Sequence, residues 1–249
     1  MKKSKLMSVV VVLVLMAALL LSGCENYEEE QIAGPTEEGL VAHFAFEGNL
    51  VDSTGNFADG ELIGTKIGPS IGEITDVRGE EHYSISYVDG VEGSAIKFDG
   101  TQGVLMPRGL IDGSTYTISL WINPAVVTQH TTTFFGAVSG SSWISVVPDG
   151  PTTHYTMLWS GENWYDATAG LTIPTNEWTH FVASVDRGEV KVYLNGELKF
   201  EGQDFPDIFR LAGGEGIFAL AVNWWDLPFI GMLDELKIYN VVKTPDEIE

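Results

Sequence analysis

The chain has 249 residues, with 13 basic and 35 acidic side chains and a formal charge of −22. That balance repels nucleic acid and anionic lipid headgroups and excludes a polyanion-binding role. A single cysteine excludes any internal disulfide, so the fold must hold by packing and polar contacts alone.

Lys2, Lys3 and Lys5 precede a run from Leu6 to Leu21 in which Ser8 is the only polar residue, and Ser22-Gly23-Cys24 comes next. A basic start, an apolar run and small residues are the anatomy of a secretory signal. The run is shorter than the roughly 20 residues of a typical transmembrane helix. Leu21-Ser22-Gly23-Cys24 resembles the bacterial lipobox. The resemblance implies cleavage before Cys24 and an acyl anchor of the palmitate kind on its sulfur. The alternative is an ordinary signal peptide followed by a chance cysteine. Without the three lysines, ten basic residues face 35 acidic ones, a formal charge of −25. Residues 24–38, with Glu-rich and Gly-Pro sequence, read as a flexible acidic tether. Residues 39–249 are then one domain, exported and held at the outer face of the membrane.

That domain shows strand periodicity and no convincing helical stretch. Leu40, Ala42, Phe44 and Phe46 alternate with Val41, His43, Ala45 and Glu47. Further strands are expected at 95–99, 103–106, 132–138, 142–147, 154–159, 178–185, 216–222 and 229–240. Tyr116, Ile118, Leu120 and Ile122 alternate with Thr117, Ser119, Trp121 and Asn123. Val190, Val192 and Leu194 alternate with Lys191 and Tyr193, and Asn195-Gly196 then separates them from a second run, 197–200. Asn-Gly between two such runs signals a hairpin, because both turn residues need positive φ. Thr244-Pro245-Asp246-Glu247 reads as a capped helix start. Many strands with glycine-rich turns predict an all-β, two-sheet antiparallel sandwich or jelly roll.

Four stretches, Leu40–Asn56, Tyr116–Pro124, Glu177–Leu198 and Phe229–Glu249, resemble in order and spacing the LamG-like family of concanavalin A-like lectin/glucanase jelly rolls. The resemblance spans residues 39–249. It implies two antiparallel sheets, one concave, with the chain ends close together. The family includes sugar-binding modules, adhesion modules and domains attached to glycoside hydrolases.

Period-two alternation along the last strand puts Asp234 with Met232, Leu236 and Ile238. A carboxylate on an apolar parity must be paired, hydrogen-bonded or metal-bound. The resemblance brings the first and last strands together, so Glu47, Asn49, Asp52 and Asp234 are the expected ligands of a structural Ca²⁺, a hard cation suited to oxygen donors. The competing reading is that Asp234 accepts backbone N–H bonds and no metal is held. Glu235, of opposite parity, is expected to face solvent.

Of seven tryptophans, Trp121 and Trp178 lie inside the strand motifs and read as packing residues. Trp164 and Tyr165 lie in a polar, turn-rich stretch, and Trp224 and Trp225 sit between Asn223 and Asp226. An aromatic ring beside an amide and a carboxylate can stack on a sugar while the polar groups bind hydroxyls. The same residues also describe a packed corner of a sandwich. Trp164, Tyr165, Asn223, Trp224, Trp225 and Asp226 are the candidate glycan-binding residues, with His154 and Tyr155 weaker. The glycosidase pattern of two carboxylates flanking a bond is not found; Glu73, Asp76 and Glu80 come nearest, at the wrong spacing. The expectation is a non-catalytic, calcium-stabilised carbohydrate-binding lipoprotein with a polysaccharide partner. The alternatives are a protein-binding adhesion module or a divergent glycoside hydrolase.

Overall fold

A computed structural model describes residues 37–68, 70–71 and 84–248. The signal, Cys24, the tether up to residue 36, and Glu73, Asp76 and Glu80 lie outside the described residues. Glu37, the first described residue, accepts the Tyr239 hydroxyl on Oε2 at 3.0 Å. No helix among the described residues is long and apolar enough to cross a membrane.

Fifteen strands are described: β1 (Leu40–Phe44), β2 (Glu61–Ile63), β3 (Ser86–Asp89), β4 (Ser94–Asp99), β5 (Gly103–Met106), β6 (Thr115–Pro124), β7 (Phe134–Ala137), β8 (Trp143–Val147), β9 (Met157–Ser160), β10 (Tyr165–Thr168), β11 (Thr179–Asp186), β12 (Glu189–Leu194), β13 (Glu197–Gly202), β14 (Ile217–Leu220) and β15 (Ile230–Tyr239). They form two antiparallel sheets. One runs β13-β12-β11-β6-β15-β4-β3, with β1 also on β15; the other runs β10-β9-β8-β7-β14-β5-β2. The all-β sandwich expected from the periodicity is the fold that forms.

The alternation explains the first sheet. Tyr116, Ile118, Leu120 and Ile122 of β6 and Phe181, Ala183 and Val185 of β11 enter the core between the sheets. Asn195 and Gly196 have φ of 49° and 83°, as a two-residue hairpin turn requires. Thr244 and Glu247 form the expected capping box, around a single 3₁₀ turn at Pro245–Glu247. Strands β2, β3 and β10 are additions to the sequence expectation.

β15 departs from simple alternation. Its pairing with β6 shifts between Asp234 and Lys237, and Glu235 has φ of +49°. Such a β-bulge reverses the facing of every residue beyond it on the strand. Leu233 is in the core before the bulge, and Leu236 and Ile238 are in it after. Asp234 therefore does not share the face of Leu236 and Ile238, which corrects the expectation from strict alternation. The bulge marks the seam where β15 changes partner, from β4 along Ile230–Leu233 to β1 along Leu236–Tyr239.

Candidate functional site

The face of the second sheet that points away from the core is aromatic. Alternation in β7, β8, β9 and β14 sends Phe134, Ile144, Leu158 and Phe218 into the core. It sends Phe135, Trp143, Trp159 and Ala219 to a second apolar cluster on the outer face. Small partners make room for the indoles. Ala137 pairs with Trp143, and Ser145 lies between Phe135 and Trp159. A Cβ on Gly161 would meet the Trp143 ring at 2.1 Å, so only glycine allows the 161–164 turn to close over that indole.

Loops border a groove of about 430 Å³ on this face, lined by Trp143, Trp159, Trp164, Trp225 and Asp226, with Ser141 of the β7–β8 turn and Ile71 beyond β2; two of the loops carry Trp164 and Trp225. The first loop carries Trp164, which is 69% exposed. Asn163 and Trp164 both have positive φ, 57° and 50°, a conformation uncommon outside glycine. Large, exposed and held in a costly backbone shape, Trp164 is the clearest stacking platform. The second loop is organised by Asn223. Its Oδ1 accepts the N–H groups of Trp225 and Asp226, each at 2.8 Å, and its Nδ2 donates to Asp226 Oδ2 at 2.7 Å. This turn aims Trp225 and Asp226 into the groove. Trp143 touches Trp225 at 5.6 Å and Trp159 at 4.7 Å between ring centroids, so the walls form one continuous aromatic surface.

Three of the six expected ligand residues, Trp164, Trp225 and Asp226, therefore line the groove. The other three have different work. Trp224 is 4% exposed and stands edge-on to Phe135 at 5.3 Å, so it packs beneath the site. Asn223 is buried and shapes the loop. Tyr165, the first residue of β10, points the other way from Trp164. Its hydroxyl donates to the Gln203 carbonyl at 2.7 Å and its ring meets Phe205 edge-on. Burial, with Asp204 nearby, raises the Tyr165 pKa. Trp143 and Trp159 are not among the expected ligand residues: both sit in strands with apolar residues on both faces, WISVV and MLWS. The glycine at 161, tight against Trp143, is the one signal that points to them. His154 is exposed and pairs with Asp149 at 3.0 Å, outside the groove lining. Trp121 stacks on His180 at 4.7 Å, on the first sheet, as a packing residue would.

The expected cation ligands do not converge. Asp52 is buried and accepts five bonds, from the N–H groups of His43, Thr54, Asn56 and Phe57 and from the Thr54 hydroxyl. Asn49 closes its own turn through Glu47 O and Val51 N–H. Glu47 and Asp234 do reach one place, the turn joining β3 to β4. Glu47 accepts the Ser94 N–H at 3.1 Å, and Asp234 Oδ2 accepts those of Val91 and Glu92 at 2.7 and 3.3 Å. Among the described residues, no three Asp, Glu, His or Cys side chains are placed to hold one ion. The four-residue set does not fit a metal: its oxygens face N–H donors. Asp234 is fully buried, and burial pushes its pKa to about 6 against the N–H bonds that lower it. Glu235 is buried rather than solvent-facing, a correction that the bulge explains. It accepts from His43 Nε2 at 2.8 Å and Lys237 Nζ at 3.2 Å. Burial opposes its charge, but those two partners outweigh it and lower its pKa.

Among the described residues lining the groove, Asp226 is the only carboxylate. Two carboxylates flanking a glycosidic bond are therefore not assembled there by the described residues.

The laminin G type 3 profile, described as concanavalin A-like lectin/glucanases superfamily, matches residues 98–249. No curated protein matches. Domain 4 of AbnA, a GH43 extracellular arabinanase from Geobacillus stearothermophilus, solved in complex with arabinotriose, is 46% identical, with a TM-score of 0.76 over 85% of this chain and 97% of that one. The binding domain of Paraclostridial Mosquitocidal Protein 1 is 16% identical, with a TM-score of 0.57 over 84% of this chain and 50% of that one. The receptor-binding domain of a mosaic C/D botulinum neurotoxin is 14% identical, with a TM-score of 0.53 over 84% and 49%. The two toxin domains share the fold alone. The match over residues 98–249 and the arabinanase domain together place the chain in the concanavalin A-like lectin/glucanases superfamily, which it belongs to through its laminin G-like domain.

Proposed function

We propose that this protein is a non-catalytic binding module for arabinan-type polysaccharide, carried on the outer face of the membrane by lipid on Cys24. The observation that carries the binding reading is the groove on the outer face of the second sheet. Its tryptophans offer ring faces to the apolar sides of sugar rings, and Asp226 and Ser141 offer partners to hydroxyls. The sugar class is supported by a domain 46% identical to this chain that was solved with arabinotriose. The non-catalytic reading is supported by Asp226 being the one carboxylate among the described residues that line the groove. The anchor rests on the lipobox-like LSGC.

The test is calorimetric titration with arabinotriose and affinity electrophoresis against linear arabinan, galactan and xylan. Arabinan retards the protein, and no arabinose is released on long incubation. Trp164→Ala and Trp225→Ala each weaken binding about two- to tenfold, the value of one stacked ring. No retardation by arabinan overturns the reading. For the anchor, Cys24→Ala moves the protein from the detergent phase to the aqueous phase on partitioning of whole cells.

A further inference from the structure

The aromatic surface does not stop at the groove. Trp159 lines it and is 8% exposed, yet its Nε1–H has no acceptor among the described residues. A buried donor left unpaired needs an explanation, and a ligand acceptor is one. On one side Trp159 meets Trp164, at 5.7 Å between centroids. His130, which is not part of the groove lining, stacks on the same indole at 5.7 Å with 25° between planes. His130 has φ of +69°. Its N–H donates to the Asp149 carbonyl at 2.9 Å, and the Thr131 N–H closes onto Thr128 at 3.2 Å. Histidine is among the residues that tolerate this region, so the turn holds the ring against Trp159.

A carboxylate lies next to the same indole. Asp166 of β10 is the direct cross-strand partner of Trp159 in β9. Ala167 enters the core, so Asp166 takes the outer face with Trp159. Its Oδ2 accepts the Thr152 hydroxyl at 3.2 Å. An imidazole ring and a carboxylate thus adjoin the same indole, the kinds of group that also line the groove.

We propose that the carbohydrate site continues past the groove, over Trp159, to a further subsite made by His130 and Asp166, so that it holds an arabinan segment longer than three sugars. This rests on the arabinan reading above and extends it. A furanose ring sits against the imidazole, with its hydroxyls on Asp166. The subsite lies at the far end of the aromatic run from Trp225, so short oligosaccharides fill the groove before they reach it.

The experiment is calorimetric titration of the full chain with arabinotriose and with arabinohexaose. The variants are His130→Asn, which removes the ring but keeps a residue tolerant of positive φ, and Asp166→Ala on the edge strand. Arabinohexaose binds about tenfold more tightly than arabinotriose, the gain expected from one ring contact and one charged hydrogen bond. Each variant removes part of that gain, and the double variant brings the hexaose close to the affinity of the triose, while the triose itself changes less than about twofold. Equal affinities in the parent protein overturn the subsite and leave the groove standing. A tighter hexaose that neither variant weakens overturns the assignment to His130 and Asp166. Binding of neither sugar overturns the arabinan reading and the subsite with it.

Discussion

His180 shows how far one side chain can be removed from its usual chemistry. It stacks on Trp121 and bonds Ser119 Oγ at 2.8 Å through Nε2. Burial first, and Lys237 second, push its pKa from 6.5 down to about 4. Below pH 6.5 the unfolded chain takes up a proton that the folded chain refuses. The stability this histidine leaves intact above pH 6.5 is therefore lost as the pH falls toward 4. Asp234 acts in the opposite sense. Its folded pKa of about 6 lies above the unfolded 3.8, so its contribution is full below pH 3.8 and lost as the pH rises through 6. His180→Phe keeps a ring on Trp121 and removes one of the two opposed effects. Its Tm is expected to fall less than that of the parent protein between pH 6.5 and 4, measured by thermal melts across that range. A parallel pair of curves would show that His180 titrates normally. Neither shift could be read from the sequence, because each depends on which strand lies beside which.

At the scale of single elements, the two loops around the groove separate binding from stability. Asn223→Ala removes three hydrogen bonds that set the 223–226 turn. Trp225 and Asp226 then lose their aim, so arabinan affinity falls about tenfold or more while the sandwich stays folded. Trp224→Ala has the reverse profile. It empties a packed position under the site and costs about 3–5 kcal/mol of stability, read in urea unfolding. A second folding test is the loop after β1, built on Asp52. Asp52→Ala removes an acceptor from four backbone N–H groups, of which that of Asn56 keeps the Thr54 hydroxyl at 3.3 Å, at about 1–3 kcal/mol for each one left buried and unpaired. Calcium is not needed to make these ties, so chelation is expected to leave the Tm within about 1 °C; a larger fall would restore a cation to the Glu47 and Asp234 turn. The elements themselves were legible in proportion to their length and alternation. β6, β11 and the β12–β13 hairpin emerge directly from period two and Asn-Gly. β2 and β3 are three and four residues long and have too little alternation to declare themselves. β10 hides behind the turn that exposes Trp164. In β8 and β9 apolar residues lie on both faces, with Ser145 and Ser160 the polar exceptions, and only pairing tells which tryptophans face out. The strand floor of the groove is for that reason invisible in the sequence, while the loops that carry Trp164 and Trp225 stand out by their polar, turn-forming residues.

Across the whole molecule, charge constrains what this aromatic face can hold. The chain carries 35 acidic residues against 13 basic ones, and Asp226 stands in the groove itself. Acids elsewhere, such as Glu215 beside Arg108, are exposed and partly paired, which leaves the net field negative. A polyanion brought to this surface meets repulsion within a Debye length of about 10 Å at 0.1 M salt. A neutral arabinan does not, because stacking and hydrogen bonds to hydroxyls exchange no counterions. The two classes of ligand therefore separate by salt rather than by affinity alone. Arabinan binding is expected to change less than about twofold between about 0.05 and 0.5 M NaCl. Polygalacturonate, an acidic polymer, shows no binding at low salt, and screening gives it no groove contacts to gain at high salt. Affinity electrophoresis at both salt concentrations checks this with one protein and two gels. Arabinan binding that weakens steeply with salt would mean that charge, and not the tryptophan surface, holds the polymer.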